Sequence, residues 1–249
     1  MKLEQIKNKY PKVLTTTETL NEVIKNKKSL CRYGDGEYNL CSKELKGKNI
    51  FQLKNEILEE RLKEILVSED KNILICIPPF EGKYNEFSKN DFKFPKFWKR
   101  YYYENGEIII KLLNKNKVYG SAFVSRLTVF YENELTEIKK MWNNKKIVFV
   151  YSDKGRFEKD ERIFDNILSS EEILIPAINA FSEYDFILKK CLEKEKDKLF
   201  LIAAGALATI LAYDLAKKGY QALDIGHLPN SYKEFLGEII SPEDLPIQK

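Results

Sequence analysis

The sequence is poor in the residues that usually build metal and redox centres. Its 249 residues include one histidine, His227, and four cysteines, Cys31, Cys41, Cys76 and Cys191, none paired as C-x-x-C or grouped with zinc spacing. That excludes a zinc ribbon and a thioredoxin-like dithiol. Cys31 and Cys76 sit in apolar runs, where a thiol acts as a small hydrophobe, and the whole pattern fits a reducing, cytoplasmic setting. No apolar stretch approaches the roughly 20 residues that cross a bilayer. The opening MKLEQIKNKYPKV lacks the apolar core of a signal peptide, so a cytoplasmic protein is expected. There is no G-x-G-x-x-G or Walker loop, no internal repeat and no Gly/Ser linker. Charge is abundant without a dominant sign: 42 basic against 38 acidic residues, net +4, which is too little to argue for a nucleic-acid partner. Many of the lysines and glutamates are expected on solvated helix faces.

What is present is a core. Hydrophobic residues make up 43% of the chain, enough for one sizeable α/β domain. Short apolar segments alternate with segments of helical periodicity. Ser29–Tyr33, NILICI at 72–77, Val118–Val124, Lys146–Tyr151, Ile173–Ile175, Leu199–Ala204 and Ala222–Ile225 read as strands. Helices are predicted near 17–26, 51–67, 97–113 (with Asn105-Gly106 as a candidate break), 134–142, 161–168, 184–193 and 207–218, the last stopped by Gly219. Strands apolar on both faces predict a doubly wound, mostly parallel, Rossmann-like sheet of about six to seven strands flanked by helices. The chain reads as one domain, 1–249, with a helical N-terminus to about 28 and a core over about 29–227. Ligands of such folds lie beyond the carboxyl ends of the strands.

The first strand ends in Arg32-Tyr33-Gly34-Asp35-Gly36-Glu37. In an extended segment Asp35 and Glu37 would point to the same side and could share a hard cation, Mn²⁺ or Mg²⁺. Gly34 and Gly36 would let the backbone approach a ligand, and Arg32 would offset the acids or bind phosphate. The competing interpretation is an ordinary Asp-Gly turn. Other strand ends offer Ser125 and Arg126, then Asp153 as a candidate general base with Arg156 as a diphosphate clamp. They also offer Asn179 as a helix cap or base contact, Gly205 and Thr209 at a helix start suited to phosphate, and His227 as a second candidate base. Plain loop or capping roles are the alternatives for each. In the stretch Asp91–Tyr103, Lys93, Lys96, Lys99 and Arg100 interleave with aromatics. This suits an amphipathic helix docking its rings, or a sugar-stacking or membrane-surface face.

Taken together, RYGDGE, KVYGSAFVSR, FDN, NAF and LAYDLAKKGYQALDIGH occur in an order that resembles the GT-D type glycosyltransferase family, whose motif reads R-F-G-D-G-E. The resemblance runs from about Ser29 to His227. It implies transfer of a hexosyl-type sugar from a nucleotide-sugar donor, such as a UDP-sugar, to a hydroxyl of a glycan or glycoprotein acceptor in bacterial surface glycan assembly. It also implies a divalent cation on the D-x-E motif, here Asp35-Gly36-Glu37. Contact with the inner membrane face or with a glycan-assembly complex is compatible with it. The chain departs from the family pattern in two places. Tyr151 stands where an acid is usual, and Gly205-Ala206-Leu207-Ala208-Thr209 replaces G-P-T-A-T, removing a hydroxyl at Leu207. The same acids would also serve a metal-dependent phosphohydrolase, and the departures would suit a nucleotide-binding subunit without catalysis.

Overall fold

The computed structural model describes residues 2–47, 51–81 and 93–247, with the side chains of 93–95 outside the description. Helix α1 (Lys2–Lys7) and α2 (Thr16–Lys25) precede the sheet; α2 opens with a capping box between Thr15 and Glu18. There follow β1 (Ser29–Arg32), α3 (Asp35–Cys41), α4 (Glu56–Val67), β2 (Ile73–Ile77), α5 (Lys93–Leu112), β3 (Gly120–Ser121), α6 (Leu127–Glu132) and α7 (Leu135–Lys139). The second half runs β4 (Lys146–Tyr151), α8 (Glu161–Phe164), β5 (Ser169–Leu174), α9 (Tyr184–Leu192), β6 (Leu199–Ala203), α10 (Ala206–Lys217), β7 (Gln221–Asp224) and α11 (Leu228–Phe235). One-turn 3₁₀ helices add Ala122–Ser125, Ala180–Glu183 and Pro242–Asp244.

The seven strands form one sheet, β3-β2-β1-β7-β6-β4-β5, and every pairing is parallel. The predicted α/β class, strand number and strand direction therefore hold. Two apolar clusters cover its two faces. One joins Cys31, Ile75, Val148 and Phe200 to α4, α5 and α10; the other joins Leu30, Phe149, Leu201 and Leu223 to α2, α6 and α8. All four thiols are buried, and burial pushes each of them up, to about 12 for Cys41 and Cys191. Cys31 and Cys76 are the buried hydrophobes expected, and Cys41 and Cys191 are buried as well.

The helices predicted over 51–67 and 161–168 are shorter, Glu56–Val67 and Glu161–Phe164, and three further differences bear on packing. The strand over Val118–Val124 shrinks to Gly120–Ser121, because the Ser121 hydroxyl accepts from the Phe123 amide and starts a 3₁₀ turn. A side chain at Gly120 would meet Cys76 Sγ at 2.5 Å, so β3 lies tight against β2. β5 begins four residues before the predicted Ile173; its polar, mostly exposed start, Ser169 to Glu172, lies at the sheet edge. The helix over Asn105-Gly106 runs unbroken. Asn105 is buried, its amide oxygen accepts from Lys46 N at 2.8 Å and its amide nitrogen donates to Lys46 O, while a Cβ at Gly106 would strike Ile6 at 2.8 Å. The pair serves helix packing instead of a turn. Within Asp91–Tyr103, Asp91 and Phe92 lie outside the described residues. Trp98, Tyr101 and Tyr102 are buried while Phe97 and Tyr103 are exposed, so this helix docks three of its rings.

Candidate active site

The carboxyl ends of β1, β4, β6 and β7 open onto a cleft of about 610 Å³. Asp35 and Glu37 line it, but not as two residues of an extended segment. Gly34 ends the extended backbone and caps α3, so the acids occupy the first and third positions of a helix. Glu37 turns back to accept the Gly34 amide at 2.8 Å, and a side chain at Gly34 would press on that carboxylate at 3.2 Å. The helix start is what brings both carboxylates to the cleft.

Neither acid forms an ion pair among the described residues. Burial pushes Asp35 up, with Arg126 offsetting part of the effect. Burial and the neighbouring Asp224 push Glu37 up to about 7. Two partly buried, hard oxygen donors short of positive charge suit Mn²⁺ or Mg²⁺. No group of three or more His, Cys, Asp or Glu converges among the described residues. The protein would therefore offer one or two carboxylates and leave the remaining positions to ligand oxygens and water, the usual habit of Mg²⁺ at phosphate sites.

The other predicted residues divide. Gly36, Arg126, Arg156, Gly205 and His227 line the cleft with Gly34. Arg126 donates to Glu243 Oε1 at 2.6 Å. Arg156 donates from Nε to the Leu245 carbonyl at 2.8 Å and lies 5.2 Å from the centre of the Phe51 ring. Gly205 holds φ +55°, a backbone that side chains disfavour, at the start of α10. His227 is held near 3 by burial and by Arg126 and Arg32; its imidazole is neutral at pH 7 and a weak base. Arg32 lines the cleft but is committed elsewhere. Its Nε and terminal nitrogens donate to the Asp224 carbonyl and carboxylate at 2.9 and 3.1 Å and to Ala122 O at 3.2 Å. These bonds hold the end of β1 to β7 and to the turn after β3.

Four residues fall outside the cleft lining. Thr209 is fully buried and its hydroxyl donates to Arg32 O at 2.7 Å, so it staples α10 to β1 in place of a phosphate contact. Ser125 is buried in a 3₁₀ turn. Asn179 adopts φ +57°, accepts from Gln52 on its amide oxygen at 2.6 Å, makes no side-chain cap and does not line the cleft. Asp153 is exposed on the loop after β4, beside the cleft-lining Ser152 and Gly155. Of the two departures, Leu207 is buried in the core and the Tyr151 hydroxyl donates to Glu172, both off the cleft, while Ala206, beside Leu207, lines it. Sequence reasoning missed Glu243, Phe51 and the structural role of Asp224. Asp224 is the one acid within the apolar run Ala222–Ile225, three residues before His227, and Ser241-Pro242 before two acids is a helix-start signal.

The raised Glu37 acid carries a pH consequence. A folded value near 7 against the usual 4.5 means that the native state holds the proton longer, so this group's contribution to stability falls as pH rises through that interval. His227, lowered toward 3, acts in the opposite sense between about 3 and 6.5. The difference between the wild type and Glu37→Gln isolates the first effect. Thermal unfolding without divalent cations is expected to show the variant gaining on the wild type from pH 5 to 7.5; parallel curves would refute the assignment.

The family model described as "Glycosyltransferase GT-D fold" matches residues 30–248. The chain is 29% identical over 234 residues to the probable glycosyl transferase Gly of Streptococcus gordonii, covering 90% of this chain and 33% of that protein. It is 29% identical over 224 residues to glycosyltransferase GlyD of Streptococcus pneumoniae, covering 87% and 26%. The chain thus spans a third or less of the curated relatives it matches. A solved domain of unknown function 1792, described as having a distinct glycosyltransferase fold, superposes with a TM-score of 0.84 at 28% identity, covering 97% of this chain and 87% of that one. A Streptococcus sanguinis glycosyltransferase of the same domain type gives 0.80 at 27%, covering 92% and 85%.

Proposed function

This chain belongs to the GT-D glycosyltransferase family, and from that premise we propose that it moves a sugar from a nucleotide-sugar donor, a UDP-sugar first among candidates, to a hydroxyl of a glycan or glycoprotein. The observation that carries the proposal is the pair Asp35 and Glu37, partly buried at the start of α3 in the cleft and free of any ion pair among the described residues. They would hold Mn²⁺ or Mg²⁺, which when bound supplies positive charge to the leaving nucleoside diphosphate. Arg126 and Arg156 face the same cleft and bring fixed guanidinium charge to phosphate oxygens. The apolar side of the cleft, Ile175, Pro176, Ala177 and Ala203, offers a dry surface for the ring systems of the donor. Asp153 and His227 are the candidate proton acceptors for the acceptor hydroxyl. The exposed Asp153 retains ordinary solvent access, whereas the neutral imidazole of His227 better suits a hydrogen-bonding role. A role in bacterial surface glycan assembly, at the inner membrane face or in a complex, is carried over from the family resemblance by analogy alone.

Transfer is favoured over a non-catalytic subunit because Leu207 and Tyr151 do not line the cleft. A panel of sugar nucleotides incubated with glycan acceptors, with and without Mn²⁺, is expected to yield a new glycoside and free nucleoside diphosphate only with metal. Phosphate or nucleoside monophosphate as the sole products would instead identify a phosphohydrolase. No turnover with any donor would leave a binding module.

A further inference from the structure

Two of the three cleft arginines, Arg126 and Arg156, are engaged by one segment of their own chain. Arg126 donates to the Glu243 carboxylate at 2.6 Å, and Arg156 Nε donates to the carbonyl oxygen of Leu245 at 2.8 Å. Ser241, Glu243 and Asp244 line the cleft beside Asp35 and His227. Two oxygens, one of them anionic, thus rest on two guanidinium groups in the cavity where Asp35 and Glu37 stand.

The segment is lightly held. It is a single 3₁₀ turn, Pro242–Asp244, in which only Pro242 is buried. The Glu243 side chain is 52% exposed. Arg126 is 17% exposed, so the pair is screened by solvent on the Glu243 side, whereas a phosphate offers an arginine two parallel charge-assisted hydrogen bonds. A polyanion entering beside Glu243 would also repel it, just as Glu243 already helps to raise Asp35.

We propose that segment 241–245 is a displaceable resident of the anion-binding end of the cleft. Glu243 and Leu245 O occupy Arg126 and Arg156 until a ligand carrying two linked phosphates replaces them, and the segment then leaves the cleft. This inference rests on the transferase proposal only for the natural source of that diphosphate. The ligand chemistry follows from the two arginines, and the device keeps the acid-rich cleft closed to single weak anions.

The test uses the full chain with inorganic pyrophosphate and Mg²⁺. Hydrogen exchange read by mass spectrometry should show faster exchange over 241–246 when pyrophosphate is added. The reporters are the Asp244 and Leu245 amides, which donate to Ser241 O and Pro242 O. By calorimetry, Glu243→Gln should bind pyrophosphate about two- to fivefold more tightly than the wild type, and Arg126→Gln more weakly. Slower exchange over 241–246, or weaker or unchanged binding in Glu243→Gln, would show that the segment completes the site and would overturn the inference, as would a wild type that binds no pyrophosphate. Release of the segment without turnover of any sugar nucleotide would sink the transferase proposal and leave this one standing. Turnover with a protected segment would do the reverse.

Discussion

Asp35→Asn combined with Glu37→Gln is expected to reduce sugar transfer by at least about a hundredfold without loss of the fold. The amides keep the shape of the acids, and the amide oxygen introduced by Glu37→Gln can still accept from the Gly34 amide, as the Glu37 carboxylate does at 2.8 Å. What is lost is the negative charge that would retain a divalent cation. Removing one preorganised charge-stabilising group typically costs about 10²–10³ in rate, and a bound metal supplies several kcal/mol. Stability near pH 7 should hold or rise, because burial already disfavours ionisation of both acids. Steady-state rates at saturating metal, with thermal unfolding as the control for folding, check the outcome. A variant within threefold of the wild type would remove these two residues from the mechanism.

Asp224→Ala is expected to destabilise the protein by about 3–5 kcal/mol, the usual cost of removing one partner of a buried ion pair. Asp224 is buried at the end of β7 and accepts from Arg32 at 3.1 Å; the two side chains are 5% and 14% exposed. Its loss strands a guanidinium between β1 and β7, with only the Asp224 and Ala122 carbonyls left as acceptors. The space around this pair is full, since a Cβ at Gly226 would collide with an Arg32 nitrogen. Relaxation is therefore limited, and the loss is a large fraction of the roughly 5–15 kcal/mol that holds an ordinary domain together. Chemical denaturation should show an earlier midpoint with an unchanged slope; a loss below about 1 kcal/mol would mean that the pair is dispensable. The pair also fixes β7 where it leads into His227, so the same variant should disturb the cleft.

The central strands are legible in the sequence because their residues are buried on both faces, and uninterrupted apolar runs such as NILICI and KIVFVY are what a covered parallel sheet demands. The edges are less so. β5 opens with four polar residues, Ser169 to Glu172, three of them exposed, and β3 is cut short by a serine cap that looks like ordinary strand sequence. The D-x-E pair is visible as chemistry but misleading as geometry. Gly34 followed three residues later by Glu37, ahead of Tyr38, Leu40 and Cys41, is a helix-start pattern, and extended spacing overlooks it. A strand end or helix start near a ligand site invites a phosphate role for Arg32 and Thr209. Their partners, Asp224 and the Arg32 carbonyl, lie 192 and 177 residues away in sequence, and no local pattern shows such contacts. Glu243 escapes notice for the same reason: it meets Arg126 across 117 residues, beyond the stretch that carries the family resemblance.

Titration of Mn²⁺ into the protein with saturating UDP, followed by the loss of the free-ion paramagnetic resonance signal, bears most directly on the role given to Asp35 and Glu37. The expected result is one nucleotide-dependent Mn²⁺ per chain in the wild type and at least a tenfold weaker binding in Asp35→Asn/Glu37→Gln. Equal Mn²⁺ affinity in the two proteins would contradict it.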